Sequence, residues 1–366
     1  MKSFVKIFPI RDAVVFLICL ATVECVNAQI PDVPGWRIIV NDEFNGTNLN
    51  ATLWEPLDRK DSYNNEKQYY HPNQVTVADG NLNLTAINVP REGKAYQSGL
   101  ITSKSRYGPG RFEARIDLPT TQGMWPAFWL NANNVSWPLG GEIDIMENRG
   151  SQPTLVSSAY HWPVVPGQAG SSQFDAQSYS ASSNGMPVNY HNSFHTYAVE
   201  WDEIQLWFYV DGVLYHTVNN SEAPIFETPK NIILNLAVGG IFGGDPNGST
   251  VWPQTMLVDY VRVWQKQTGI AGDFNGDGKV NAADYTVWRN TDGQSGIGLP
   301  ADGSGNGTVG PEDYELWKAH FGGPETPGAA SSSQVPEPLH APEPSSAVPI
   351  TVGLLFFCGP RRVPPT

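Results

Sequence analysis

The sequence predicts an all-β protein, an antiparallel sandwich, with a small α-helical module behind it. Three observations carry that reading. Short runs rich in β-branched and aromatic residues recur between residues 36 and 265, at 74–77, 82–85, 111–116 and 205–210 among others. Asp79-Gly80 and Asp211-Gly212 adjoin such runs, and Asp-Gly supplies the left-handed backbone that a two-residue hairpin needs. No long helical period interrupts them, so sheet packed on sheet is the way to bury the apolar positions. Beyond Gln265 the composition turns to Gly, Asp and Asn, and a different structure is expected.

At the start, Lys2, Lys6 and Arg11 precede an apolar run over residues 13–23, then Val26-Asn27-Ala28. A charged start, an apolar core and a small-x-small site predict a secretory signal peptide, residues 1–28, cleaved after Ala28. The run is shorter than the roughly 20 residues a spanning helix needs. Cys19 and Cys25 fall inside that signal and Cys358 near the other end, so the β-rich stretch has no disulfide and relies on core packing, helped by metal ions. A net charge of −14 over 366 residues argues against nucleic acid and anionic membranes as partners. It fits a secreted protein, expected to be a monomer, whose partner is uncharged.

The most informative stretch is residues 140–148, Gly-Gly-Glu-Ile-Asp-Ile-Met-Glu-Asn. Alternation from Glu142 to Ile145 reads as a strand with Glu142 and Asp144 on one face. Glu147, five residues after Glu142, should point to the other face. A one-residue β-bulge near Met146 would return it, and bulges are over-represented beside active sites. Acids brought together raise one another's pKa. Glycoside hydrolysis uses that conflict, with one carboxylate ionised as nucleophile and another protonated as general acid. An acidic edge strand or a metal-binding cluster are the plainer alternatives.

Around these acids stand Gly123-Met124-Trp125-Pro126-Ala127-Phe128-Trp129-Leu130, then Trp137-Pro138, Leu234-Asn235-Leu236-Ala237-Val238-Gly239-Gly240 and Trp252-Pro253-Gln254. With the Glu-x-Asp-x-x-Glu core, these residues resemble glycoside hydrolase family 16 and, within it, the laminarinase-like β-1,3(4)-glucanases. The resemblance spans about residues 36–265 and implies a catalytic domain over 29–268, a jelly roll with a concave substrate cleft. It implies Glu142 as nucleophile, Glu147 as acid/base and Asp144 hydrogen-bonded between them, acting with retention on β-glucan. Trp125 and Trp137 resemble cleft residues, where aromatic rings pack on sugar faces. Asn65 in Asn65-Glu66-Lys67-Gln68-Tyr69-Tyr70, Arg106 after Ser98-Gly99-Leu100-Ile101-Thr102-Ser103, and His161 after Tyr160 resemble binding positions.

Two departures stand out. Phe242 follows the Gly-Gly where the family commonly has Trp, keeping a ring but losing an N–H donor. The Gly/Ser/Gln-rich residues 162–187 read as a long loop. Of the other tryptophans, Trp201, Trp207 and Trp264 read as core. Glu43, the Gly80 carbonyl and Asp259 resemble a structural calcium site of relatives. The rivals are the same machinery on agarose, carrageenan or porphyran, a transglycosylase, and a non-hydrolytic β-glucan-binding protein.

The module over residues 271–322 repeats a loop. Asp273, Asn275, Asp277, Lys279 (through its carbonyl), Asn281 and Asp284 occupy positions 1, 3, 5, 7, 9 and 12 of a calcium loop with Gly278 at 6. Asp302, Ser304, Asn306, Thr308 and Asp313 repeat it, with Gly310 at position 9. Loops of this spacing bind Ca²⁺ and open a helix. Asp at position 12, in duplicate, resembles a type I dockerin, which implies a cohesin-type partner. Residues 323–340 read as a disordered linker. Pro342-Glu343-Pro344, an apolar run and Arg361-Arg362 over residues 341–366 resemble a PEP-CTERM sorting signal, addressing the chain to the cell envelope.

Overall fold

The computed structural model describes residues 36–266 and 269–322. The expected signal peptide, linker and sorting tail lie outside the described residues. The strands run in order β1 (Trp36–Asp42), β2 (Trp54–Pro56), β3 (Gln68–Tyr70), β4 (Val75–Ala78), β5 (Asn81–Ala86), β6 (Tyr96–Ser98), β7 (Leu100–Ser103), β8 (Gly110–Asp117), β9 (Met124–Asn131) and β10 (Glu142–Asn148). Then come β11 (Val156–Pro163), β12 (Ser172–Tyr179), β13 (Ser182–Ser183), β14 (Met186–Pro187), β15 (His195–Trp201), β16 (Gln205–Val210), β17 (Val213–Asn219), β18 (Asn231–Val238) and β19 (Gln254–Lys266). Helices are α1 (Gly240–Gly243), α2 (Ala282–Thr291) and α3 (Pro311–His320).

Two sheets face each other. One is ordered β17-β16-β15-β8-β19-β5-β4, with β1 also on β19; the other is β12-β11-β10-β9-β18-β7-β2. Alternation places Phe112 and Ile116 of β8, Val199 of β15 and Val261 of β19 in one core with Phe128, Leu130, Ile143 and Leu234 of the second sheet. Each such side chain stabilises the sandwich by about 1.5–3 kcal/mol on burial. Both Asp-Gly turns form as expected. Asp79 and Gly80 (φ 54° and 76°) join β4 to β5, and Asp211 and Gly212 (φ 48° and 75°) join β16 to β17.

Two sequence expectations need correction. Residues 162–187 are not one loop, because Ser172–Tyr179 pairs with β11 along its whole length and adds an outermost strand to the second sheet. An edge strand exposed on its outer flank draws its order from backbone pairing and carries little apolar signal. Trp201 and Trp264 are buried, but Trp207 is only half-buried, since it alternates with the core residues Leu206 and Phe208 and faces outward.

Residues 269–322 have a separate core of Phe274, Val280, Trp288, Ala301, Val309, Tyr314 and Trp317. Their two loop–helix units pack reciprocally. Trp288 Nε1 donates to the Gly310 carbonyl at 2.8 Å, and Trp317 Nε1 donates to the Asn281 carbonyl at 2.9 Å. Each tryptophan thus ties its helix to the other unit's loop. Gly305 lies so close to β1 that a Cβ there would come within 1.7 Å of the Trp36 carbonyl oxygen.

Candidate active site

The second sheet carries the acids on its outer face. On β10, Asp144 pairs with Trp129 of β9 and Met146 with Phe128, two steps against one. That is the expected bulge. Ile143, Ile145 and Met146 all enter the core, so Glu147 returns to the face held by Glu142 and Asp144. The cross-strand partners of the acids lie on that same face. Glu142 stands between Asn131 and His161, Asp144 between Trp129 and Ala159, and Glu147 between Ala127 and Ser157.

Each acid has its own surroundings. Trp125 Nε1 donates to Glu147 Oε1 at 2.8 Å. Trp137 donates a side-chain hydrogen bond to Glu142. Asp144 Oδ2 lies 3.2 Å from His161 Nε2, and His161 Nδ1 is 3.3 Å from Ser172 Oγ. Beside them on the same face, Trp129 Nε1 donates to Asn235 Oδ1 at 2.7 Å, and Asn235 Nδ2 donates to the Tyr70 hydroxyl at 3.1 Å.

Burial dominates the electrostatics. It pushes Glu147 up to about 8, helped by the charge of Asp144 and opposed by the Trp125 hydrogen bond. Burial pushes Asp144 up to about 7. Glu142 is raised well above the usual carboxylate range by burial and then by Asp144, while the charge of His161 pulls it down. Three carboxyls crowded on one strand are therefore all pushed toward their protonated forms, each by burial first. Glu142, Asp144 and His161 also offer one ligand atom each within 4.8 Å of one another, a spacing that suits an ion. Within the trio, Asp144 and His161 are the pair in close approach, 3.2 Å apart.

The other expected binding residues fall around this row. Trp137 is 39% exposed, its ring 6.2 Å from that of His161. Asn65, at φ 60°, lines a polar depression of 570 Å³ with Ser62, Glu66, Lys67 and Lys94. Asn64, beside it, and Trp125 both crowd Gly240, which links this depression to the acids. Arg106 is exposed just after β7, at the sheet end where Asn231 reaches the Ser103 carbonyl.

Two expected stacking residues serve otherwise. Trp125 is 8% exposed, so it holds Glu147 rather than offering an open face. Phe242 carries the Arg149 guanidinium 3.7 Å from its ring centre and Trp125 at 5.1 Å. Its ring is already clamped. Arg149 had no sequence signal beyond following Asn148.

The calcium set expected on the sandwich does not fit. Arg262 makes two hydrogen bonds to Glu43, at 2.7 and 3.0 Å, and Arg115 holds Asp259 at 2.6 Å. Both carboxylates are already neutralised by guanidinium groups. In the helical module the two loops superpose in bonding. Asp273 accepts from Asp277 N and Gly278 N, and Asp302 from Asn306 N and Gly307 N. Asp284 accepts from Asn275 N and Asn281 N, and Asp313 from Ser304 N and Gly310 N. Gly278 and Gly307, at φ 84° and 82°, make the sharp turn at position 6 that only glycine takes easily. Burial, and after it the charge of Asp313, raise the Asp302 carboxyl, which a cation would relieve.

A seven-stranded sheet, a bulged strand presenting three acids on one face and aromatic rings beside them define a glycoside hydrolase. Residues 62–262 match Glycosyl hydrolases family 16, over half the chain, and the chain belongs to that family. It is 36% identical over 278 residues to Glucan endo-1,3-beta-glucosidase A1 of Niallia circulans, covering 65% of this chain and 39% of that protein. It is 34% identical to the Glucan endo-1,3-beta-glucosidase of Cryptopygus antarcticus, covering 63% of this chain and 92% of that one. Among solved structures, the catalytic domain of an endo-1,3-beta-glucanase (laminarinase) from Thermotoga petrophila superposes with TM-score 0.58 at 32% identity. That match covers 64% of this chain and all of that domain.

Proposed function

We propose that the chain is a secreted, retaining endo-β-1,3-glucanase of laminarinase type, active also on β-1,3-1,4-glucan. One observation carries the chemistry: the β10 bulge sets Glu142 and Glu147 on one face with Asp144 between them. Glu142 attacks the anomeric carbon while Glu147 gives its proton to the departing glycosidic oxygen. Glu147, now ionised, takes a proton from water, which displaces Glu142 and restores the original configuration. Trp137 holds Glu142 by a hydrogen bond, and the charge of His161 favours its ionised form. The relatives' named activities support β-1,3-glucan as the polymer. The test is hydrolysis of laminarin, mixed-linkage glucan, agarose and carrageenan, with products sized and their anomeric form followed by NMR. Cleavage confined to a galactan would overturn the substrate, and inverted products the mechanism.

The helical module is proposed to bind up to two Ca²⁺ through Asp273, Asn275, Asp277, Asn281 and Asp284 and through Asp302, Ser304, Asn306 and Asp313. The ion would be structural, neutralising buried carboxylates. Like a dockerin, the loop pair is proposed to seat a cohesin-type partner, and the N- and C-terminal segments to direct export and attachment at the cell envelope. Cell fractionation of a tagged chain tests the location; retention in the cytoplasm would dismiss it.

A further inference from the structure

Phe174 is an aromatic residue that the hydrolytic steps leave unused. It lies on β12, the outermost strand of the cleft sheet, directly opposite His161 of β11, which is itself opposite Glu142 of β10. Residues directly opposite in paired strands share a face, so Glu142, His161 and Phe174 form one row across the cleft floor. The ring centre of His161 lies 5.4 Å from Phe174 and 6.2 Å from Trp137. Two strand spacings separate Phe174 from Glu142, about 10 Å, far enough to lie beyond the sugar being cleaved.

The ring is also open. Phe174 is 63% exposed, although a phenyl ring is among the side chains that gain most from burial. Its neighbours on the same face of β12, Ser172 and Ala176, are too small to cover it. The rest of the strand is Ser, Gln, Asp and Tyr, so this apolar surface is confined to the side that continues the cleft.

We propose that Phe174 forms an additional sugar-binding subsite on the β11–β12 arm, stacking on the apolar face of a pyranose ring in the same polymer. The inference rests on the glucanase reading. Continuity with Trp137 and His161 names the occupant, since a chain lying over the acids and running across the strands passes over Phe174 next. Long substrates reach it and short ones do not, so it sets chain-length preference.

The test compares kcat/KM on laminari-oligosaccharides of increasing length for the native chain, Phe174→Ala and Phe174→Trp. Phe174→Ala is expected to lower the preference for long over short substrates about 3- to 10-fold, through KM, the range one aromatic face supplies. Phe174→Trp is expected to restore it. An unchanged length preference in Phe174→Ala, with the native chain active on laminarin, would overturn the subsite alone. A native chain inactive on every β-1,3-glucan would overturn the glucanase reading beneath it.

Discussion

The indole N–H of Trp125 and the Oε1 of Glu147 are 2.8 Å apart, and this bond acts against the burial that holds Glu147 protonated. A donor to a carboxylate favours its charged form. Trp125→Phe keeps the packing and removes the donor, so Glu147 should bind its proton more tightly. The alkaline limb of kcat/KM is expected to move upward from about 8, with kcat lowered about tenfold or more, the value of a hydrogen bond to a charged group. A pH–rate profile with the limb unmoved would show that the bond does not tune the acid.

Glu147→Gln removes the proton donor and should cost about 10²- to 10⁴-fold in turnover of unactivated glucan. Its effect on stability has the opposite sign. The folded-state value of about 8 stands above the ordinary 4.5, so the native state binds more protons than the unfolded chain between those values. Stability attached to Glu147 is full below about 4.5 and is lost as pH rises through about 8. Gln carries no such charge. Thermal unfolding at pH 8 should therefore show a higher Tm for Glu147→Gln than for the native chain, and a smaller difference at pH 5.

His161 pulls Glu142 downward by its charge and touches Asp144 at 3.2 Å. Removing it in His161→Ala leaves the burial of Glu142 unrelieved. The acid limb of kcat, set by ionisation of the nucleophile, should shift upward and narrow the bell from its acid side. The same profile in both proteins would reduce His161 to a packing role.

For the helical module, calorimetric titration of the full chain should register up to two Ca²⁺. Asp284→Ala and Asp313→Ala should each abolish one, because each carboxylate closes its own loop and accepts two backbone N–H groups there. The second site is expected to be the weaker, since Gly310 brings no side chain to position 9. Two ions bound in both variants would show that these carboxylates only cap helices, a role Asp284 already fills with Asn281.

Parts of the site legible in the sequence were local. The parity of Glu142 and Glu147 requires a bulge wherever both share a face, and the Asp-Gly turns and duplicated loops are likewise short-range patterns. The features that escaped depend on partners far along the chain. Arg262 meets Glu43 across 219 positions, and no spacing rule announces that pairing. Arg149 clamps Phe242 across 93. Trp125 is placed on the cleft face by alternation, but its hydrogen bond to Glu147 follows only once the bulge sets the depth of that carboxyl. β12 went unread because a polar edge strand and a polar loop have the same composition.

Gly305 has no side chain to hold its loop away from Trp36, and its backbone rests against the first strand of the sandwich. The helical pair is thus joined to the sandwich twice, once through the chain after β19 and once through this contact. A body hinged at one point sweeps a cone, whereas a body fixed at two keeps its bearing. A pull on the helical pair would therefore reach the sandwich at its first strand as well as at its last.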